Sequence, residues 1–467
     1  MHDHAAEASL FKRRALFTFL CVIVLLSVLV TNLYHLQVES YKDYETRSND
    51  NRIRVVPIAP SRGLIYDRNG VLLAENQPFY SLDLVPEKIA NMSETLDELG
   101  KLIEITPDER ETFTEALKFH RRFKPLTLKN QLTEEQVAIF SVNQHRFPGI
   151  SVEAGLKRNY PYASQLTHVL GYVGKINTRD RAQLERNDQW KNYAATKDIG
   201  KQGIEKYYES LLHGTPGHLE EEVNNRGRTI RTLKIVPPEP GQDIYLTLDL
   251  QLQQKAVELL QGHKGSIVAI DPRDGGILAL VSSPSYDPNQ FVQGINSKDY
   301  SDLLNDKSRP LINRATQGQY APASTIKPII ALLGLDEKAV TEHTRIWDPG
   351  FWQIPGVERK YRDWKRWGHG WVNVYSAIVE SCDTYFYELA YKIGVDPIAR
   401  FMEQFGFGQN TGVDIFEESA GNMPSKEWKR LKFRKLVKHK PRNELDVPVV
   451  FRRGFAFDCT RKKHSRS

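Results

Sequence analysis

The sequence is short of cysteine. Its three thiols, Cys21, Cys382 and Cys459 in 467 residues, fit neither a disulfide framework nor the paired spacing of a zinc ribbon, which excludes a small stapled secreted fold. Positive charge is also missing from most of the chain. The formal net charge of +6 is carried by the last 43 residues, where 15 Lys and Arg face 4 Asp and Glu. The other 424 residues hold 49 basic and 54 acidic side chains, so the body is mildly acidic and not built to hold nucleic acid. Long apolar runs are scarce as well, and the one that stands out, Ala15 to Val38, contains no charged side chain.

That run is long enough to cross a bilayer core. Lys12, Arg13 and Arg14 precede it, so the positive-inside bias puts residues 1–14 in the cytoplasm and the bulk of the chain outside, which in a bacterium is the periplasm of the inner membrane. No small-residue cleavage site follows, and 15–37 reads as a retained anchor. Beyond it, Leu64-Ile-Tyr and Val71-Leu-Leu flank Asp67-Arg68-Asn69-Gly70, a hairpin signal. Residues from about 93 to 144 have a helical pattern, with Thr106-Pro107-Asp108-Glu109 as a helix start. Glycines further on, including Gly203-Ile204-Glu205, read as turn punctuation.

Residues 38–236 therefore form a mixed α+β module without visible chemistry. Pro237-Pro238-Glu239-Pro240-Gly241 reads as a linker. After it come a strand at 244–249, an amphipathic helix at 250–261 and strands at 266–271 and 277–282. The overall class is α+β, an antiparallel sheet flanked by helices in a domain spanning 241–428.

Chemistry concentrates at Tyr320-Ala-Pro-Ala-Ser324-Thr-Ile-Lys327-Pro328. If this stretch opens a helix, Ser324 and Lys327 share one face, one turn apart. A serine hydroxyl needs a base beside it, and the apolar run Ile329–Leu333 supplies the buried setting in which a lysine serves. Ser-x-x-Lys alone recurs by chance as a solvated helix face. Downstream, Ser381-Cys382-Asp383 places a second hydroxyl and a carboxylate; alone, such a pair is most often a turn or cap.

Together, Ser-x-x-Lys followed 50 to 60 residues later by Ser-x-Asp resembles the penicillin-recognising serine acyltransferases. Arg62-Gly-Leu-Ile-Tyr-Asp-Arg-Asn-Gly70, Leu246-Thr-Leu-Asp249, Ser283-Pro-Ser-Tyr-Asp-Pro-Asn289 and Asn313-Arg-Ala315 resemble class B penicillin-binding proteins. Pro-Ala-Ser-Thr with Ser-Cys-Asp resembles their elongation-specific branch, the penicillin-binding protein 2 type, from about Phe11 to Trp428. The resemblance implies a pedestal of the dimerisation type and a transpeptidase domain. In the latter, Ser324 attacks a stem peptide ending in D-Ala-D-Ala, Lys327 takes its proton, and Ser381 and Asp383 assist at the leaving group. It also implies trapping by β-lactams, no cofactor for the acyl transfer, and a membrane glycosyltransferase partner.

Asp348, Asp363, His369 and Cys382 form a second cluster. From the residues alone, these are loop carboxylates and a packed histidine, or four acceptable ligands of a structural zinc ion at irregular spacing. Some members of the branch carry zinc near the active site, which the resemblance extends to these four.

The resemblance also fails at one point. A Lys-Thr-Gly or Lys-Ser-Gly, which in the family lines the cleft opposite the serine, is absent between Asp383 and Ser467. After Trp428 the composition turns basic through 429–467, as a change of reading frame would produce, the alternative being a genuine basic tail. The expectation is an impaired or unstable transpeptidase. The competing readings are a membrane-anchored scaffold without catalysis and, more remotely, a Ser-Lys protease.

Overall fold

A computed structural model describes residues 4–35, 53–223 and 229–432. The basic stretch from residue 433 onward, and with it most of the expected change of frame, lies outside the described residues. The fold is α+β. A first helix, His4–Tyr34, contains Leu16–Tyr34, which is long and apolar enough to cross a membrane.

The pedestal is organised on a long strand, Leu72–Leu84. Ile150–Asn159 runs antiparallel to it from Glu75↔Asn159 to Leu84↔Ile150, and Leu126–Leu132 pairs antiparallel along its far end. At its near end it turns back onto Ile65–Tyr66 through the expected Asn-Gly hairpin, where Gly70 holds φ +81°. That left-handed backbone is the one glycine adopts without penalty. Pro107–Phe119 starts at Thr106 with a full capping box to Glu109, as its sequence requires. Within the helical stretch expected over 93–144, however, Leu126–Leu132 is a strand. Its alternation buries Leu128 and Leu132 in the pedestal core beside Phe113 and Phe140, and a period-2 pattern only seven residues long is easily lost among helical neighbours.

Two further expectations need correction. Only Ile244–Tyr245 of the strand predicted over 244–249 forms, and it pairs in parallel with Ile65–Tyr66 of the pedestal. The Pro-rich stretch is not a free linker. The Glu239 and Thr215 amides donate to one another's carbonyls, Gly241 N donates to Ser61 O and Gln242 N to Leu211 O. Proline removes donors but leaves every other amide to be satisfied, and here they are satisfied by the pedestal. A Cβ on Gly241 would lie 1.9 Å from Leu212 O, so only glycine allows that approach.

The core follows the same logic. Ile65, Leu73, Tyr160, Leu170 and Ile204 pack with Leu248, Leu280 and Ile415 in one cluster, which fastens the pedestal to the helix Leu250–Leu260 and to the antiparallel pair Gly265–Ile270 and Ile277–Ser283. A separate cluster, Ile326, Ile330, Leu333, Ala377, Cys382, Tyr385, Leu389 and Ile398, forms the helical subcore that carries the site. The chain leaves it through a short helix, Lys426–Lys432, whose Trp428 amide donates to Ser425 Oγ. The basic composition therefore starts inside a capped helix.

Candidate active site

Ser324 lies in a 3-10 turn, Ala323–Ile326, that runs directly into the helix Lys327–Asp336. In a 3-10 turn residues i and i+3 eclipse, so Ser324 and Lys327 stack on one face more closely than in an α-helix. Ile326 and Ile330 are buried and anchor that face. The result separates the pair by environment: Ser324 is exposed, whereas Lys327 is 6% exposed, its Nζ 5.5 Å from the centre of the Phe386 ring. Ala323 holds φ +52°, a backbone that costs a residue with a Cβ of order 1 kcal/mol and is concentrated at functional sites.

Opposite, Ser381 and Cys382 link the helices Val374–Val379 and Asp383–Ile393. Ser381 also holds φ +52°. Its hydroxyl stands between the two residues of the Ser-x-x-Lys pair, donating to Ser324 Oγ at 3.0 Å and accepting from Lys327 Nζ at 3.2 Å. Lys327 also donates to Ser381 O at 2.8 Å and Asp383 Oδ1 at 2.6 Å. Sequence spacing suggests direct contact of lysine with Ser324. In the structure Ser381 bridges them, a placement set by its left-handed backbone that no spacing rule contains.

The second predicted set also converges. One ligand atom from each of Asp348, Asp363, His369 and Cys382 lies within 4.8 Å of the others. His369 Nδ1 is 2.7 Å from Asp348 Oδ2 and 3.5 Å from Asp363 Oδ1, and Cys382 Sγ is 3.5 Å from Asp348 Oδ2. Burial pushes the Cys382 thiol up, and the nearby Asp363 and Asp348 carboxylates add to this. Burial also works against the Asp348 carboxylate, but hydrogen bonds from His369 and the Gly350 amide hold it below the usual range.

The two clusters share one segment. Because Cys382 turns into the buried set, Ser381 and Asp383 on either side face Lys327. Asp363 Oδ2 accepts from the amides of Asp383 and Thr384 at 2.7 and 3.0 Å, capping from another loop the helix that starts at Asp383. This positioning role of Asp363 was missed in the sequence because the cap lies 20 residues away. A cleft of about 1150 Å³ beside the turn is lined by Gly318 to Pro322, Gly406 to Gln409 and Glu418 to Pro424, and by Tyr207, Thr247 and Val268, but by none of Ser324, Lys327, Ser381 and Asp383.

A serine, a second hydroxyl, a buried lysine and a carboxylate in one hydrogen-bonded chain form an arrangement suited to acyl transfer. Comparison with known proteins agrees. Residues 57–246 match the penicillin-binding protein dimerisation domain and 265–438 the penicillin-binding protein transpeptidase domain. The chain is 55% identical over 433 residues to the peptidoglycan D,D-transpeptidase MrdA of Escherichia coli K12, covering 93% of this chain and 68% of that protein. Among solved structures it resembles the penicillin-binding protein PBP2 from Helicobacter pylori in complex with MreC (TM-score 0.71, 30% identity, 82% of this chain and 71% of that one). It also resembles Pseudomonas aeruginosa PBP2 in complex with WCK 5153 (TM-score 0.58, 39% identity, 82% and 63%). The chain belongs to the penicillin-binding protein 2 type of peptidoglycan D,D-transpeptidases, a family of serine D-Ala-D-Ala transpeptidases.

Proposed function

We propose that Ser324 is the acylated nucleophile and that its proton leaves through Ser381 to Lys327. The observation that carries this reading is the continuous chain Ser324–Ser381–Lys327–Asp383. As drawn, Lys327 donates and Ser381 passes a hydrogen bond on to Ser324. With an uncharged lysine the chain runs in reverse: Ser324 O–H donates to Ser381, and Ser381 O–H to Nζ. Ser324 Oγ then attacks the penultimate D-alanine carbonyl, the bond to the terminal D-alanine breaks, and the same relay delivers the proton to the leaving amine. The amine of a neighbouring stem peptide resolves the ester, whereas a β-lactam leaves it in place.

Residues 383–467 hold no Lys-Thr-Gly or Lys-Ser-Gly, and the chain spans 68% of the length of the Escherichia coli relative. The second reading is a scaffold held in place without catalysis. The Leu16–Tyr34 helix anchors the chain in the bacterial inner membrane with the pedestal and site in the periplasm. Its partners are a scaffold of the MreC kind, as in the Helicobacter pylori complex, and a membrane glycosyltransferase.

The buried set fits zinc. Two carboxylates and a thiol with 0 to 6% exposure share a single imidazole, so the donors hold more potential negative charge than the histidine can balance. Asp348, Asp363, His369 and Cys382 would hold the ion, and its charge would pin the Ser381–Asp383 segment. Metal analysis of the purified chain is expected to find one zinc, lost in Cys382→Ser; a metal-free folded chain removes this part. The catalytic reading is tested by intact mass after incubation with a β-lactam. One adduct, absent from Ser324→Ala, is expected, and no adduct on a folded chain leaves the scaffold.

A further inference from the structure

Near the site, one lobe spends aromatic side chains on solvent. Trp347 and Trp371 are cross-strand partners on the ribbon Ile346–Asp348 with Gly370–Val372. Their rings meet edge to face at 5.5 Å, yet they remain 54% and 64% exposed, and Trp364 and Trp367 are 66% and 83% exposed. Strand alternation explains the direction: Asp348 and Val372, the next residues along, are buried, so the two indoles must face out. It does not explain why indoles stand there, since large apolar rings left in solvent are an exposed patch that packing alone does not call for.

Charge gives the patch a sign. Between Arg345 and Val372 six cations are exposed (Arg345, Arg359, Lys360, Arg362, Lys365 and Arg366) against one exposed carboxylate, Glu358. Several of them lie over rings: Lys360 Nζ is 4.2 Å from the centre of Phe351, and the Arg366 guanidinium 5.3 Å from that of Trp367. The lobe is also continuous with the catalytic loop, because Trp364 Nε1 donates to Glu380 O at 3.0 Å, one residue before Ser381.

The geometry points to a docking surface for the glycan strand of peptidoglycan: pyranose faces rest on the Trp347–Trp371 pair while carboxylates of the attached stem peptides meet the guanidinium and ammonium groups exposed along residues 345–366. The inference rests on the transpeptidase reading and adds to it where the polymer, as distinct from the reacting peptide, is held. Rings alone would suit any apolar partner, and cations alone any anion. An extended polymer with both sugar faces and carboxylates matches the two together.

The test is cosedimentation of the full detergent-solubilised chain, carrying Ser324→Ala to exclude covalent capture, with insoluble uncross-linked peptidoglycan. Trp347→Ala with Trp371→Ala, and separately Arg359→Glu with Lys360→Glu, should each weaken binding about tenfold with an unchanged thermal melt. Wall binding at the parent level in both folded variants overturns the inference. So does displacement by phosphatidylglycerol micelles but not by soluble stem-peptide-bearing glycan chains, which would assign the lobe to a lipid surface. The same lobe variants on the Ser324 chain should keep the β-lactam adduct. Loss of the adduct from the parent chain itself, with lobe-dependent wall binding intact, would sink the catalytic reading and leave the surface standing.

Discussion

Two buried ionic groups in this protein are built to opposite ends. In the pedestal, Glu205, with a fully buried side chain, accepts from Arg62 Nε and Arg158 Nε, both at 2.6 Å, and from Tyr160 Oη at 3.2 Å. Glu209 closes the set, accepting from Arg62, Tyr193 and the Gly200 amide. Burial opposes the Glu205 charge, but Arg158 and Arg62 more than offset it and hold its carboxyl below the usual range. In the active site, Lys327 and Asp383 pair at the same 2.6 Å with side chains 7% and 14% exposed, yet the chain that continues through Ser381 ends on the exposed Ser324 hydroxyl. The first network is closed on itself, with Arg158 Nη2 alone of its buried atoms left without a partner, and it serves to hold the fold. The second is open at one end, as the proposed proton relay requires.

That contrast is most sharply broken at Lys327. Lys327→Ala is expected to slow acylation by a β-lactam by roughly 10²- to 10⁴-fold while leaving the chain folded, as read by stopped-flow acylation beside a thermal melt. A parallel collapse of the melt would mean that the lysine is structural like Glu205. Glu205→Ala should do the reverse, costing about 3 to 5 kcal/mol of stability because the buried Arg158 guanidinium loses its carboxylate and Arg62 keeps only that of Glu209. Denaturant midpoints check this, and a cost below about 1 kcal/mol would place the pedestal network with ordinary surface pairs.

Acid should act on the junction between pedestal and catalytic domain. Burial lowers the His168 imidazole from 6.5 to about 4, where the ring packs edge-on against Tyr286. Its folded value is below its unfolded one, so the unfolded chain binds the extra proton. The contribution is complete above about pH 6.5 and is lost as pH falls through about 4, on the order of 3 kcal/mol. Glu205, also depressed, loses its contribution further down in the same direction. Denaturation at pH 7 and pH 4 should show a slope that His168→Gln reduces; an unchanged slope counts against this assignment. The smallest effect is expected at Ala323, where glycine relieves the φ of +52° and raises stability by about 1 kcal/mol or less. A loss on Ala323→Gly would show that the turn carries no strain.

What the sequence made legible follows the range of the forces involved. The Asn-Gly hairpin, the Thr106 capping box and the Ser324–Lys327 face are local, and each is set by residues within four positions. Ser381, Asp383 and the set of four that includes Cys382 were found as residue types, but their geometry was not, because the Ser381 bridge depends on one left-handed backbone and on Asp363 capping a helix from a distant loop. The pedestal network was illegible for the same reason. Gly203-Ile204-Glu205 looks like a turn, and only the fold brings Arg62 and Arg158 from 143 and 47 residues away. The Pro-rich stretch misled because composition records flexibility of the free chain, not the amides that the pedestal satisfies.

The central claim is that Ser381 joins Ser324 to Lys327. Ser381→Gly tests it most directly, since glycine deletes the hydroxyl and at the same time accepts the left-handed backbone, keeping the loop intact. The account predicts β-lactam acylation at least about 100-fold slower at undiminished thermal stability. Acylation at the parent rate would contradict it and return the proton to a direct path between Ser324 and Lys327.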